Sequence, residues 1–200
     1  MMKTYEVNFS EVLDVADANL IEDFSCPWKE DSIPRTEFRA VWNNDFLKFQ
    51  FDVEDHDLVL AEHSDSGEAA LGSDRVELFF ASSADLTTPY YGAEMDPRGN
   101  VYDYEGLYHR QINATWSFDT LNYSGTFHEG GYSVAGTFSL AELKSLGCLR
   151  EREMITGVYR AEFSHGEGEK IVNDWICWVD PQIDPPDFHV PSSFGKFKLV

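Results

Sequence analysis

Between residues 36 and 55 apolar side chains return at every second position: Phe38, Ala40 and Trp42 in one run, Leu47, Phe49, Phe51 and Val53 in the next. A period of two belongs to a strand with one buried face. Asn43-Asn44-Asp45 lies between the runs and supplies the turn formers of a hairpin. The same rhythm recurs in residues 75–80, where Val76, Leu78 and Phe80 alternate with Arg75, Glu77 and Phe79. In residues 155–163 it separates Gly157, Tyr159, Ala161 and Phe163 from Val158, Arg160 and Glu162. Residues 90–96 form an aromatic strand ended by Pro97, which has no N–H to give to a ladder. A second hairpin is predicted from residues 123–127 and 132–138 about the Gly130-Gly131 turn, with later strands at 175–179 and 195–200. Residues 3–9 alternate weakly, as an edge strand does. Helical pattern is confined to residues 139–144, a connector capped by Ser139 and ended near Gly147. Residues 180–191 carry four prolines and cannot be regular structure. The predicted fold is all-β: an antiparallel β-sandwich, immunoglobulin-like or jelly-roll-like, with one short connecting helix and a single domain over residues 1–200.

The polar parity of these strands carries the chemistry. Arg75 with Glu77, and Arg160 with Glu162, are charged pairs set within strands, and Glu94 shares a side with Tyr90 and Gly92. Neighbouring strands that place carboxylates among aromatics line a polar concave surface, of the kind that recognises sugar hydroxyls. A formal charge of -21 repels phosphate backbones and anionic lipid, so neither nucleic acid nor membrane is expected as a partner. The acidity fits plain solubility, or calcium held by oxygen ligands. Asp55-His56-Asp57, Glu62-His63 and Asp65 form a loop that either binds a metal or collects charge as a solvated connection. Cys26, Cys148 and Cys177 are odd in number and widely spaced, which suggests neither a disulfide framework nor a zinc knuckle. Residues 1–7 lack the apolar run of a secretory signal, so a cytoplasmic location is expected.

Several motifs, taken in order, carry a resemblance. They are Thr36-Glu37-Phe38-Arg39-Ala40 with Phe46-Leu47-Lys48-Phe49, then Asp74-Arg75-Val76-Glu77-Leu78-Phe79, then Tyr90-Tyr91 through Glu94-Met95-Asp96-Pro97. Trp175-Ile176-Cys177-Trp178, Asp187-Phe188-His189-Val190-Pro191 and Phe194-Gly195 follow. In this order the chain resembles family 9 carbohydrate-binding modules, part of a wider DOMON-like group. The resemblance implies a β-sandwich that clamps a terminal sugar ring between two tryptophans while charged side chains hold its hydroxyls. It places Glu77 at an inward glutamate of the family. The clamp positions fall near Leu71 and on Phe188, and an arginine of some members is replaced by Glu94. Either another aromatic, Tyr90, Tyr91, Trp116 or Trp178, supplies a platform here, or the ligand differs.

The expected function is noncatalytic recognition of an oligo- or polysaccharide. The candidate site residues are Glu77, Arg75, Glu94, Tyr91, Arg160, Glu162, Phe188 and Trp178. Arg75, Glu77, Arg160 and Glu162 are read equally well as a structural ion-pair network, and Trp178 as core. Two other readings stand beside this one. The first is a glycoside-processing hydrolase of the xylan-associated kind, which needs a suitably spaced carboxylate pair. The second is a DOMON-like domain that holds haem or metal through Met95 with His109 or His189, or that binds a protein partner.

Overall fold

The computed structural model describes residues 2–30, 32–62 and 67–200. Fourteen strands follow one another along the chain: β1 (Thr4–Phe9), β2 (Leu20–Ile21), β3 (Thr36–Trp42), β4 (Phe46–Glu54), β5 (Arg75–Ala81), β6 (Tyr90–Met95) and β7 (Val101–Leu107), then β8 (Gln111–Asn113), β9 (Asn122–His128), β10 (Gly131–Ser139), β11 (Leu149–Arg150), β12 (Glu153–His165), β13 (Ile171–Cys177) and β14 (Gly195–Leu199). The predicted connector is helix α2 (Leu140–Ser145), capped by the Ser139 side chain on the Ala141 N–H. One further helical turn, α1 (Glu68–Leu71), lies in the stretch read as loop. Among the described residues no helix is long and apolar enough to cross a membrane.

The strands join in the order β8-β7-β6-β5-β12-β14-β1-β3-β4-β10-β9, with β11 and β13 added to β12 and β2 to β3. Both predicted hairpins form, Trp42 opposite Leu47 and His128 opposite Gly131. The fold is all-β, but the expectation of a purely antiparallel arrangement is corrected by β1. This strand runs parallel to β14 through Thr4–Val7 and parallel to β3 through Asn8–Phe9. It is also not an edge. By changing partner along its length it sits mid-sheet and joins two otherwise antiparallel halves. Its partners are distant in sequence, so local alternation carries no trace of them.

The mixed sheet curls over so that its halves share an inner core. Val76, Leu78 and Phe80 of β5 and Tyr91, Ala93 and Met95 of β6 meet Phe38, Phe49, Phe51 and Phe138 from the far half. Phe80 lies 5.0 Å from Phe138, ring to ring, at 74°. The opposite parity of β5, β6, β7, β12 and β13 faces outward, and it is not bare. Phe79, Tyr90, Tyr104, Tyr159 and Cys177 form a second cluster with Phe188 of the proline-rich segment and Phe194 just beyond it. This part of the sheet is therefore buried on both faces, as the fully buried pattern of β5 records.

Two glycines let rings lie flat across neighbouring strands. A Cβ on Gly92 would meet the Tyr104 ring at 2.4 Å, and one on Gly106 the Tyr90 ring at 2.3 Å. Gly92→Ala is expected to cost about 1–3 kcal/mol in denaturant unfolding, because the displaced ring belongs to a packed layer.

Candidate functional site

On the outward face the register of β5 and β6 puts Glu77 directly opposite Glu94. Two carboxylates so placed repel unless a cation lies between them. Arg75, two residues before Glu77 and on the same face, is that cation. Its Nε is 2.7 Å from Glu94 Oε2 and 3.0 Å from Glu77 Oε1, and its Nη1 donates to the Leu71 carbonyl at 3.1 Å. The guanidinium carbon lies 5.7 Å from both the Phe163 and Trp175 ring centres, so its position is held by aromatics. All three charged residues are buried.

These groups form the floor of a cavity of about 310 Å³, within the range of small-ligand sites. Tyr102 and Tyr104 of β7, Trp175 of β13, Leu71 of α1, Arg110 just before β8, Ile112 of β8, and Phe188 with its neighbours complete the lining. Phe188 is stacked on Tyr159, centroids 4.2 Å apart and 9° from parallel, and is itself buried. Trp175 and Tyr102 are half-buried and line the cavity. At the mouth Asp187 binds Arg110 at 2.8 Å and His109 at 2.5 Å, which ties the proline-rich segment to the turn before β8. His189 Nδ1 lies 2.8 Å from the Tyr90 hydroxyl. Burial, with Arg110 nearby, lowers its pKa to about 3, so the imidazole is neutral.

One guanidinium against two buried carboxylates would leave a negative charge in excess were both ionised. Burial, with repulsion from Glu94 and partial relief from Arg75, raises the Glu77 pKa to about 8. Two polar atoms at the floor also lack hydrogen-bond partners, the Tyr104 hydroxyl and Glu77 Oε1. The latter has the Arg75 charge beside it but not the alignment of a hydrogen bond.

Arg75, Glu77, Glu94 and Phe188 are thus brought together. Tyr91, Arg160, Glu162 and Trp178 lie away from this cavity. Tyr91 belongs to the inner parity of β6 and packs on Trp116 at 4.7 Å. Trp178 packs on Phe197 at 6.0 Å, with the Lys3 ammonium over its ring. Met95 faces the inner core, whereas His189 lines the outer cavity and His109 binds Asp187 at its mouth. Tyr102, Tyr104, Trp175, Arg110, Asp187 and His189 enter the site without having been singled out for it. Register explains Tyr102, which sits opposite Glu94, and parity then brings Tyr104 to the same face.

Arg160 and Glu162 belong to a separate buried cluster on the inner side. Arg160 pairs with Glu162, lies 3.6 Å from Asp55 and donates to Thr36 Oγ1 at 3.2 Å. Asp74 accepts the backbone N–H groups of Val59 and Phe163, each at 2.6 Å. Carboxylate oxygens of Asp55, Asp74 and Glu162 lie within 4.8 Å of one another, so these are the described residues best placed to offer oxygen ligands to a hard cation. Of the acidic loop, His63 and Asp65 lie outside the described residues, while Asp57 pairs with His165 and His56 with Glu54.

Burial raises the pKa of Asp74 to about 7 and of Glu162 to about 8, each partly offset by its bonds or by Arg160. The native state then keeps protons that the unfolded chain has released above the ordinary carboxylate range. Stability is therefore fully present at low pH and lost as pH rises through about 7 to 8. The thermal midpoint is expected to fall by several degrees from about pH 5 to about pH 8. Glu162→Gln is expected to flatten that slope in a scan across the same window.

A sheet that holds a dry guanidinium between two carboxylates, under half-exposed aromatic rings, is the scaffold of a domain that binds a polar ligand with an apolar face. The chain belongs to the carbohydrate family 9 binding domain-like family, whose model matches residues 11–200. It is similar in fold to a candidate carbohydrate-binding protein of Bacteroides uniformis ATCC 8492, with TM-score 0.74, 12% identity and 100% of each chain covered. It is also similar to a family 9 carbohydrate-binding module of Caldicellulosiruptor kristjanssonii in complex with cellotriose, with TM-score 0.60, 17% identity, and 98% of this chain and 93% of that one covered. The same organism's module in complex with glucose gives TM-score 0.58 at 17% identity, covering 99% and 96%. No curated protein matches the chain.

Proposed function

We infer that this chain is a noncatalytic carbohydrate-binding domain and that the cavity over Arg75, Glu77 and Glu94 is its saccharide site. The observation that carries the reading is the floor: a fixed guanidinium and two carboxylates lining a cavity that aromatic side chains also line. Vicinal hydroxyls suit carboxylate and guanidinium through charge-assisted hydrogen bonds, and the C–H face of a sugar ring suits an aromatic platform. Trp175 and Tyr102 are the platforms in this reading, since Phe188 has given its face to Tyr159. Glu77 and Glu94 converge on one nitrogen from one side of the cavity, an arrangement that holds hydroxyls rather than flanks a glycosidic bond. We also propose that the curled sheet is a sandwich of the jelly-roll kind, a reading supported by the contact of Phe80 with Phe138 across its interior.

Tryptophan fluorescence tests the platform. A gluco-oligosaccharide such as cellotriose is expected to change the emission of the wild-type protein in a saturable way. Trp175→Phe removes most of that change while affinity stays within a few-fold; Trp175→Ala weakens binding about tenfold. Unchanged affinity in Trp175→Ala would place the sugar elsewhere.

A further inference from the structure

We propose that the cavity selects a saccharide bearing a protonated amine, a glucosamine-type residue, over its neutral counterpart. The inference rests on the reading of the cavity as a saccharide site and names the class of sugar. Among the described residues that line the cavity the cations are Arg75 and Arg110, and the carboxylates are Glu77, Glu94 and Asp187. Arg110 is already paired with Asp187, as is His109 at the mouth. That leaves Arg75 alone against Glu77 and Glu94, so the buried floor carries one negative charge in excess whenever both carboxyls are ionised.

Glu77, Glu94 and Tyr104 all line the cavity. Glu77 Oε1 lies 3.0 Å from Arg75 Nε, and neither it nor the Tyr104 hydroxyl makes a well-aligned hydrogen bond within the protein. A neutral hydroxyl meeting this floor leaves the charge uncompensated or keeps a proton on Glu77. An ammonium brings three donors and the missing positive charge. Its bonds to carboxylate are charge-assisted, roughly twice as strong as neutral ones.

The proton balance follows. The raised pKa of Glu77 keeps its carboxyl protonated when no ligand is bound. Binding of the ammonium forms an ammonium–carboxylate pair, and the Glu77 proton passes to buffer. The groups facing Glu77 are Arg75 on its own strand, Glu94 on β6, Tyr104 on β7, Tyr159 on β12, Arg110 before β8, and Asp187 and His189 on the proline-rich segment. His189 is neutral and Arg110 is paired, so neither supplies the missing charge.

Calorimetric titration at about pH 6 compares cellotriose with the β-1,4-linked glucosamine trisaccharide and its N-acetylated form, in two buffers of different ionisation enthalpy. The free-amine sugar is expected to bind at least about tenfold tighter than either neutral one, with proton release read from the buffer dependence. Glu94→Gln, which changes the overall charge by only one, is expected to bring the three sugars within a few-fold of one another. Equal or tighter binding of the neutral sugars overturns the inference and leaves the saccharide reading intact. A preference undiminished in both Glu94→Gln and Glu77→Gln overturns it too, since attraction to the acidic surface then accounts for it. Binding of none of the three overturns both. The comparison on the wild-type protein stands even where a variant does not fold.

Discussion

Arg75→Ala is expected to lower unfolding free energy by about 3–5 kcal/mol, because it leaves Glu77 and Glu94 facing each other, buried, without their shared cation. The replacement removes a bond to the Leu71 carbonyl and two ring contacts as well, so the end of α1 loses its tie to β5. The loss should depend on pH. In the variant Glu77 loses the relief that Arg75 gives it and stays protonated to higher pH, so the penalty is smallest in acid, where its carboxyl is neutral, and grows as pH rises. Urea unfolding of wild type and variant at acid and neutral pH measures this directly. A loss under 1 kcal/mol at neutral pH, on the scale of an exposed ion pair, would mean that the floor is wet rather than dry.

Phe79→Ala carries a comparable expected cost, about 3–5 kcal/mol, for a different reason. Phe79 is fully buried at the centre of the outward layer. Its ring lies 5.0 Å from Tyr159, 5.8 Å from Tyr104, 5.2 Å from His189 and 6.3 Å from Phe194. Removing it opens a void beneath the proline-rich segment, and Tyr159 loses the packing that lets it stack under Phe188. Saccharide binding should weaken with stability, since Tyr104 and Phe188 both line the cavity. Phe79→Leu, which refills much of the volume, is expected to recover more than half of the loss in the same denaturation experiment. A Phe79→Ala protein as stable as wild type would show that the second cluster contributes little to the fold.

The strands that alternate cleanly were legible in the chain itself. Phe38 to Trp42 with Leu47 to Val53 pair as their turn residues indicate, and the separation of Val76 and Leu78 from Arg75 and Glu77 is the separation of inner core from cavity floor. Parity says which residues share a face, but not which face looks inward. In β12 the aromatic parity, Tyr159 and Phe163, reads as core and leaves Arg160 and Glu162 to solvent or ligand. The molecule buries both sides, and the charged parity is the inner one, where Asp55 and Asp74 meet it. Trp178 shows the same limit, since Trp175 of β13 lines the cavity while Trp178, just past the strand, packs in the core. The remaining wall residues come from register and from the proline-rich segment. Asp187 and His189 flank Phe188 in a stretch with no periodicity to read, and distant partners, Arg110 and His109 for the one and Tyr90 for the other, hold them.

Calorimetric titration of wild type and Glu77→Ala with cellotriose and the glucosamine trisaccharide shows whether the sugar sits on this floor. Saturable binding to the wild-type protein is expected, weakened at least about tenfold in a variant whose thermal unfolding stays cooperative. Equal affinity in the two proteins would contradict it, because a saccharide seated over Arg75, Glu77 and Glu94 cannot be indifferent to loss of the carboxylate at the centre of that floor.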